Sequence, residues 1–266
     1  MLVGSTLQPT PEETSLMHTG TTASMPRIET SWLGGSMGSS ASRRASRSIN
    51  ADAVAIETDA LTGATAFVVA DGVGDHLLGA RAARTVATAA ARAGARDGAR
   101  AGILAAQEEL LREVPEPSAD AVLVVAVLPS AGHPDGPCEV AWVGDCRAYR
   151  WNGRVLHQIT SDHTVAEFYR ARGRVPTARM GHLVTTSART VRPDQIGYAA
   201  TGSSTGRLLL STDGVHKPLG IAAVKAILAE GDTASAIANS LVDAALLAGG
   251  RDNATALVVD LPSRTG

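Results

Sequence analysis

The chain has 266 residues, 24 basic and 26 acidic side chains, and a formal net charge of −2. Its hydrophobic content of 44% is too high for a disordered chain. No apolar run reaches the roughly 18–20 residues of a membrane span, and the balanced charge argues against nucleic-acid binding. Cys138 and Cys146 form neither a zinc pattern nor a disulfide framework. We therefore expect a soluble cytoplasmic protein, with a monomer as the default.

The N-terminal part of the chain is expected to be irregular. Residues 1–25 are rich in Ser and Thr, lack periodicity and carry no secretory signal, which predicts a disordered tail. One folded domain would then span residues 26–262, followed by a short tail at 263–266. Within the domain, Arg27–Leu33 fits a short edge strand, and the polar stretch Gly34–Arg47 predicts a long loop.

The middle of the chain alternates short strands with helices. Apolar runs at Asp52–Glu57 and Ala64–Ala70 predict a hairpin. The Ala- and Arg-rich stretch Leu77–Val114 predicts a helix that breaks into two at Asp97-Gly98. Four more strand-like runs follow, the last two joined by an Asn-Gly turn: Ala121–Leu128, Glu139–Val143, Arg147–Trp151 and Val155–Ile159.

The C-terminal third continues this alternation. A short helix at Asp162–Arg172 precedes irregular sequence, and the runs Gln195–Ala200 and Arg207–Ser211 predict another hairpin. Two helices and a last strand complete the chain: 219–229, 233–248 and Asn253–Leu261. Consecutive hairpins favour antiparallel sheets whose faces must be covered by helices. The expected fold is α+β, a four-layer α-β-β-α sandwich with two antiparallel sheets flanked by helix pairs.

Four aspartates stand at the ends of apolar strand runs: Asp52, Asp71, Asp213 and Asp252. If these carboxylates converge, they repel one another unless a cation lies between them. Oxygen ligands without His or Cys suit Mg²⁺ or Mn²⁺, and a glycine after an aspartate permits close backbone approach. The alternative interpretation is that each Asp-Gly pair is a plain turn signal.

Arg47 lies five residues before Asp52, at the end of the expected loop. Arginine binds phosphate through two parallel hydrogen bonds. Beside a carboxylate–metal cluster it would orient a phosphate ester for in-line attack, whereas alone it is equally a solvated loop residue. His76, His163 and His182 are the histidines nearest these motifs. A structural role fits each of them, with His76 as a candidate group beside the metals or proton donor.

Six short segments carry a family resemblance when they are taken together. They are RSINAD (47–52), VADGVGDH (69–76), VGDCRAY (143–149), TSDHT (160–164), LSTDGV (210–215) and GRDNAT (250–255). In order and spacing, from about Arg27 to Leu261, they resemble the motifs of the metal-dependent serine/threonine protein phosphatases, the PPM or type-2C family. The resemblance implies a bacterial-type enzyme that hydrolyses phosphoserine and phosphothreonine esters by direct attack of a metal-bridging hydroxide.

The resemblance also implies a metal centre of two Mn²⁺ or Mg²⁺ ions. Asp71 would bridge the two ions, and Gly72 would contribute a carbonyl oxygen. Asp213 and Asp252 would complete the shell of one ion, and Asp52 would bind or orient waters of the other.

Further roles follow from the same resemblance. Arg47, with Asp71 the expected catalytic pair, would hold the substrate phosphate, and Asn253 would brace the neighbouring Asp252. The region Arg172–Pro193 corresponds to a variable flap that influences substrate choice. Bacterial members often use a third ion. Glu116 and Asp120 are nearby candidates for its ligands, although neither can be assigned.

Two departures from the family pattern leave an alternative open. Ala51 stands where many members carry Glu or Gln, and Asp75 stands where they carry glycine. The Asp75 carboxylate could bind a metal, retune the centre or disturb the loop. These changes motivate a second hypothesis, a catalytically weak pseudophosphatase that binds phosphoproteins. The intact acids favour an enzyme, whose partner would be a phosphorylated protein. A third hypothesis narrows this substrate to a regulator of a Ser/Thr kinase or sigma-factor pathway.

Overall fold

The computed structural model describes residues 29–31, 37–130, 136–201 and 206–261. The expected tails at 1–25 and 263–266 lie outside these ranges. No helix in the described part of the chain is long and apolar enough to cross a membrane.

Strands and helices alternate along the described residues as the sequence suggests. The strands are β1 (Glu29–Ser31), β2 (Met37–Arg43), β3 (Asp52–Thr58), β4 (Thr65–Gly72), β5 (Ala121–Leu128), β6 (Cys138–Val143), β7 (Arg147–Trp151), β8 (Leu156–Gln158), β9 (Gly197–Thr201), β10 (Gly206–Ser211) and β11 (Ala254–Leu261). The α-helices are α1 (Leu77–Asp97), α2 (Ala99–Glu113), α3 (Val165–Arg170), α4 (Asp213–Ala229) and α5 (Ala234–Leu247). The break between α1 and α2 falls at Gly98, whose φ of 93° suits glycine.

The strands form two antiparallel sheets. One has the order β1-β2-β11-β10-β7-β8 and the other the order β3-β4-β5-β6-β9. Helices α1 and α2 cover the five-stranded sheet, and α4 and α5 cover the six-stranded sheet. The expected four-layer α-β-β-α sandwich is therefore confirmed.

Alternation of side chains along the strands builds three hydrophobic cores. In β4, Val68 faces the helices while its neighbour Val69 faces the opposite sheet. In β10, Leu209 faces the helices while Leu208 and Leu210 enter the layer between the sheets. The core between the two sheets holds them together. It therefore also fixes the end of β4, where Asp71 lies, and the end of β10, after which Asp213 follows.

The expectation of a loop over Gly34–Arg47 is wrong where the structure describes β2. This strand pairs with β1 and β11, although its sequence has no long apolar run. Its small residues are required by close packing: a Cβ at Gly38 would lie 2.7 Å from the Phe67 ring, and Ser39 and Ala41 are buried. Strand formation here comes from tertiary packing rather than from β-propensity.

The predicted hairpin between Gln195–Ala200 and Arg207–Ser211 is also wrong. Strand β9 pairs with β6 in one sheet, whereas β10 pairs with β7 and β11 in the other. The connecting residues 202–205 lie outside the described ranges. Neighbouring strands in sequence therefore belong to different layers, because local alternation does not specify the pairing partner.

Helix α4 begins earlier than the sequence predicts. The pattern indicated a start near 219, but the helix starts at Asp213, directly after β10. Pro218 lies inside it, and Gly220, with a φ of 67°, kinks it. The first turns of α4, before this kink, carry Asp213 and Lys217.

Core packing beneath α5 predicts a large difference between two leucines of that helix. Leu241 is fully buried, whereas Leu247 is 89% exposed. We expect Leu241→Ala to lower the free energy of unfolding by about 2–5 kcal/mol, because it removes buried area and leaves a cavity. Leu247→Ala should change it by less than about 0.5 kcal/mol. Urea denaturation followed by circular dichroism measures both, and equal losses would contradict this assignment of the core.

Candidate metal and phosphate site

Strand pairing brings the first two predicted aspartates to one edge of the five-stranded sheet. Asp52 begins β3 and lies directly opposite Asp71 near the end of β4. Gly72 donates its backbone N–H to the Ala51 carbonyl at 3.1 Å. A Cβ at Gly72 would collide with the backbone carbonyl of Gly79, so glycine is required where the chain turns from β4 into α1.

The other two predicted aspartates meet at the end of the six-stranded sheet. Asp213 opens α4, and Asp252 precedes β11. The backbones of these two segments touch so closely that a Cβ at Gly214 would collide with the Asn253 carbonyl. The glycine after Asp213 therefore permits the approach of the two segments.

A cleft of about 190 Å³ lies where the two sheet ends meet. Its lining residues are Arg47, Asp71, Gly72, Val73, Gly74, Val122, Asp145, His182, Val184, Asp213, Asp252 and Asn253. Six of the predicted site residues are among them. The other three, Asp52, Asp75 and His76, do not line this cleft.

Asp52 is a buried carboxylate behind the cleft. Its side chain is only 1% exposed, and one oxygen accepts hydrogen bonds from Thr255 Oγ1 at 2.6 Å and Thr212 Oγ1 at 3.0 Å. The other oxygen has no hydrogen-bond partner. Burial raises the pKa of Asp52 to about 7, since the hydroxyl hydrogen bonds offset only part of the lost hydration. A buried carboxylate with one free oxygen is an incomplete arrangement without a cation.

Asp71 experiences the negative charge of the whole site. Loss of hydration raises the pKa of Asp71 well above its usual value, and the charges of Asp52, Asp213 and Asp145 raise it further. A carboxylate in this position favours either a proton or a bound cation. Strongly shifted acids in a cleft are typical of functional sites.

Two acids hold Arg47 at the cleft, one by contact with its guanidinium and one by contact with the backbone that follows it. Its guanidinium donates a hydrogen bond to Asp252 at 2.7 Å. Asp75 accepts the backbone N–H groups of Ser48 at 2.9 Å and Ile49 at 3.2 Å, and the Ser48 hydrogen bond is the main cause of the lowered pKa of Asp75. The residue that departs from the family pattern therefore anchors the arginine-bearing loop and does not point into the cleft.

Asn253 connects that loop to the start of β11. Its side-chain amide donates to the carbonyls of Arg44 and Ile49, both at 2.9 Å, and accepts the Ala51 N–H at 2.8 Å. Ala51, the other departure, is 2% exposed and takes part through its backbone alone. Asn253 thus holds the backbone on both sides of Arg47, in addition to adjoining Asp252.

Three charged or polar groups in or beside the cleft were not among the predicted site residues. Asp145, in the VGDCRAY segment, is 4% exposed, and burial followed by the charge of Asp213 raises its pKa. Lys217 donates to both Asp145 and Asp213. His182, from the flap, lies with its Nδ1 3.4 Å from Lys217 Nζ. The position of Asp145 in a recognised segment was the available signal, whereas Lys217 gave none.

The remaining candidates have structural surroundings. His76 caps α1 by accepting the Gly79 N–H at 3.0 Å. His163 is half-buried beside Trp142, with ring centroids 6.2 Å apart. Asp120, a candidate for a third metal, accepts the Ser187 hydroxyl at 2.6 Å, and Glu116 is exposed. None of these four residues lines the cleft.

The residues of the cleft fit a divalent cation in their chemistry. The acidic side chains offer only oxygen atoms as metal ligands. Asp52 and Asp213 each have a buried carboxylate oxygen without a hydrogen-bond partner. Among the residues that the structure describes, no three ligating side chains already form a metal-binding group. Two of the acids form ion pairs with cationic side chains: Asp252 with Arg47, and Asp213 with Lys217. A divalent ion at Asp252 Oδ2 or Asp213 Oδ2 would displace these cationic side chains, whereas the unpartnered oxygens of Asp52 and Asp213 are not engaged by them.

Comparisons with known proteins agree with the architecture. No family model and no curated protein matches the sequence. A solved structure described as a bacterial serine phosphatase has a TM-score of 0.75 at 21% identity and covers 86% of this chain and 99% of that chain. The PPM Ser-Thr phosphatase MsPP from Mycobacterium smegmatis, in complex with cacodylate, has a TM-score of 0.68 at 27% identity, covering 88% and 100%.

A third structure has the same fold. The catalytic domain of the serine threonine protein phosphatase PstP, in complex with 2 manganese ions, has a TM-score of 0.66 at 24% identity, covering 86% of this chain and 99% of that chain. The protein thus has the fold of the PPM serine/threonine phosphatases and resembles that family over most of its length.

The hydrogen bonds of Asn253 predict a loss of stability on truncation. Asn253→Ala leaves the buried Ala51 N–H and two carbonyls without their partner, so we expect a loss of about 1–3 kcal/mol in unfolding free energy. Asn239→Ala is the matched control, since its two side-chain hydrogen bonds, from Arg43 and to the Ser235 carbonyl, are partly exposed and alanine favours helix. Urea denaturation compares the two, and a neutral Asn253→Ala would contradict the bracing role.

The raised pKa of Asp52 predicts a pH-dependent stability of the metal-free protein. Because the folded pKa of about 7 exceeds the unfolded value, the folded state binds more protons in between. The contribution of Asp52 to stability is therefore lost as pH rises from about 4 to 7, and its total is on the order of 4 kcal/mol.

Asp52→Asn, which cannot ionise, isolates this effect. In EDTA, the unfolding free energy of the wild type minus that of Asp52→Asn should fall steadily across this pH range. Asp243→Asn, at an exposed acid, is the control for the Asp-to-Asn substitution itself. A flat difference for Asp52→Asn would show that the carboxyl is not desolvated.

Proposed function

We propose that the protein is a metal-dependent phosphatase that hydrolyses phosphoserine and phosphothreonine esters in proteins. The observation that carries the proposal is the meeting of Arg47 with Asp71, Asp213 and Asp252 in one cleft of a phosphatase fold. The catalytic unit would be the domain at 26–262, acting as a monomer. The acids offer ligands for cations, and the arginine offers a partner for a phosphate. Few other reaction classes need both groups at one site.

Arg47 supplies the phosphate contact. Its guanidinium is 39% exposed at the side chain and points at Asp252, so a phosphate entering the cleft can exchange with or share this hydrogen-bonding group. The loop that carries it is fixed by Asp75 and Asn253 at backbone atoms on both sides. A positioned guanidinium would hold the ester in one orientation, which lowers the entropic cost of in-line attack.

The acids of the cleft supply the cation site. Asp71, Asp213, Asp252 and the carbonyl of Gly72 would hold Mn²⁺ or Mg²⁺ ions. Such ions, when bound, lower the pKa of water and offset the charge of phosphate oxygens. Asp52, aligned by the Thr212 and Thr255 hydroxyls, would orient waters from the buried side. Two such ions are the proposed complement.

The flap at Arg172–Pro193 borders the cleft through His182 and Val184. It is tied to the sandwich by a bridge between Thr164 and Val184 and by the Ala188 N–H, which donates to the Ala121 carbonyl. A peptide carrying the phosphorylated residue would therefore contact this segment as it enters. We propose a phosphorylated protein as the partner, within a Ser/Thr kinase or sigma-factor pathway of a bacterial cytoplasm.

Hydrolysis of p-nitrophenyl phosphate and a phosphothreonine peptide tests this function. We expect activity that requires added Mn²⁺ or Mg²⁺ and that Asp71→Asn lowers by about 10³-fold or more. Arg47→Ala should lower kcat/KM by about 10²-fold, and Arg47→Lys should recover only part of it, because lysine lacks the bidentate geometry. Arg96→Ala and Asp97→Asn, at an exposed ion pair in the last turn of α1, are matched controls that should retain full activity.

The alternative function, a phosphoprotein-binding pseudophosphatase, has a distinct outcome. The wild type would then show no hydrolysis over a wide range of Mn²⁺ concentration and pH, while calorimetry detects phosphopeptide binding that Arg47→Ala weakens. The pairing of Arg47 and Lys217 with the acids is the feature that favours it. Metal-dependent turnover by the wild type would exclude it.

A further inference from the structure

Lys217 places a positive charge against two of the acids that line the cleft, Asp145 and Asp213. Its Nζ lies 2.8 Å from Asp145 Oδ2 and 2.7 Å from Asp213 Oδ2. The three side chains are largely shielded from solvent, with exposed fractions of 23%, 6% and 15% respectively. An ammonium group shared by two shielded carboxylates is a much stronger interaction than an exposed ion pair.

The backbone fixes this arrangement. Asp213 and Lys217 are four residues apart in the first turns of α4, so their side chains lie on the same helix face. Asp145 approaches from the connection that crosses from β6 in the five-stranded sheet to β7 in the six-stranded sheet, where β7 pairs with β10. Lys217 therefore joins the start of α4 to the crossover between the two sheets.

The two oxygens of Asp213 are used differently. Oδ2 accepts from Lys217, whereas Oδ1 is buried and has no hydrogen-bond partner. The 1%-exposed Asp52 also has one unpartnered oxygen, Oδ1. The free Oδ1 atoms of Asp52 and Asp213 remain available to cations. The Oδ2 atoms of Asp145 and Asp213 already contact the ammonium group of Lys217. A further divalent ion between Asp145 and Asp213 would meet a positive charge less than 3 Å from both ligands.

We propose that the Lys217 ammonium is a resident cation of this centre, which occupies the Asp145–Asp213 side of the cleft and excludes a divalent ion from it. This inference rests on the proposed function in that it takes the cleft to bind divalent ions. A single tethered charge offsets part of the repulsion between the two carboxylates at every metal concentration. The protein therefore binds one divalent ion fewer than its carboxylates could hold.

The experiment counts bound Mn²⁺ by calorimetry and by loss of the free Mn²⁺ resonance, without reference to activity. Lys217→Met removes the charge and keeps the length of the side chain. We expect it to bind one more Mn²⁺ per chain than the wild type does, with the extra site lost again in Lys217→Met combined with Asp145→Asn. Lys225→Met is the matched control, because this other α4 lysine stands over the Trp151 ring, whereas Lys217 contacts the two acids.

The outcomes separate this inference from the proposed function. Equal Mn²⁺ stoichiometry for the wild type and Lys217→Met overturns it, as does wild-type manganese density between Asp145 and Asp213 with the lysine turned away. An extra Mn²⁺ in Lys217→Met supports it even if neither protein hydrolyses a phosphate ester. Lys217→Gln repeats the measurement in case the methionine variant does not fold, and circular dichroism checks both.

Discussion

Repulsion among carboxylates at one end of the sandwich is the constraint to which the surrounding structure responds. Asp71, Asp145, Asp213 and Asp252 line a cleft of about 190 Å³, where hydration cannot fully screen their charges. Asp52 adds a fifth carboxylate from the buried side, held by two threonine hydroxyls. Arg47 and Lys217 supply positive charge to these acids, and the close backbone approach at Gly214 keeps Asp213 next to the Asp252 segment.

The scaffold can hold such a site because its rigidity comes from elsewhere. Three hydrophobic cores fix the sheets and the helix layers, and the acids stand only at strand and helix ends. Close backbone approaches at Gly72 and Gly214 then bring the two sheet ends together. Asn253 and Asp75 anchor the segment that carries Arg47, so the phosphate-binding group is positioned by backbone hydrogen bonds. A site of this kind is organised before any cation or phosphate arrives.

Much of the fold could be predicted from local patterns. The β3–β4 hairpin and the break at Gly98 follow from apolar runs and from the conformational freedom of glycine, which act within a few residues. The failures lie where packing overrides local preference. Strand β2 consists largely of small residues, which its close packing against the Phe67 ring and α5 requires. Strands β9 and β10 belong to different sheets, although they are neighbours in sequence. Helix α4 begins at Asp213, several residues before the predicted start, and is kinked at Gly220.

By itself the sequence determined the residue types of the site and their positions at the ends of apolar runs. Carboxylates in oxygen-only surroundings and an arginine before the first of them follow from residue chemistry, which does not depend on distance. Only the tertiary structure decided which charges meet. Asp145 and Lys217 lie 72 positions apart, and Arg47 and Asp252 lie 205 apart, so neither pair is visible to a local pattern. Their contacts depend on which strands pair and where α4 begins, and both are set by the packing of the whole domain.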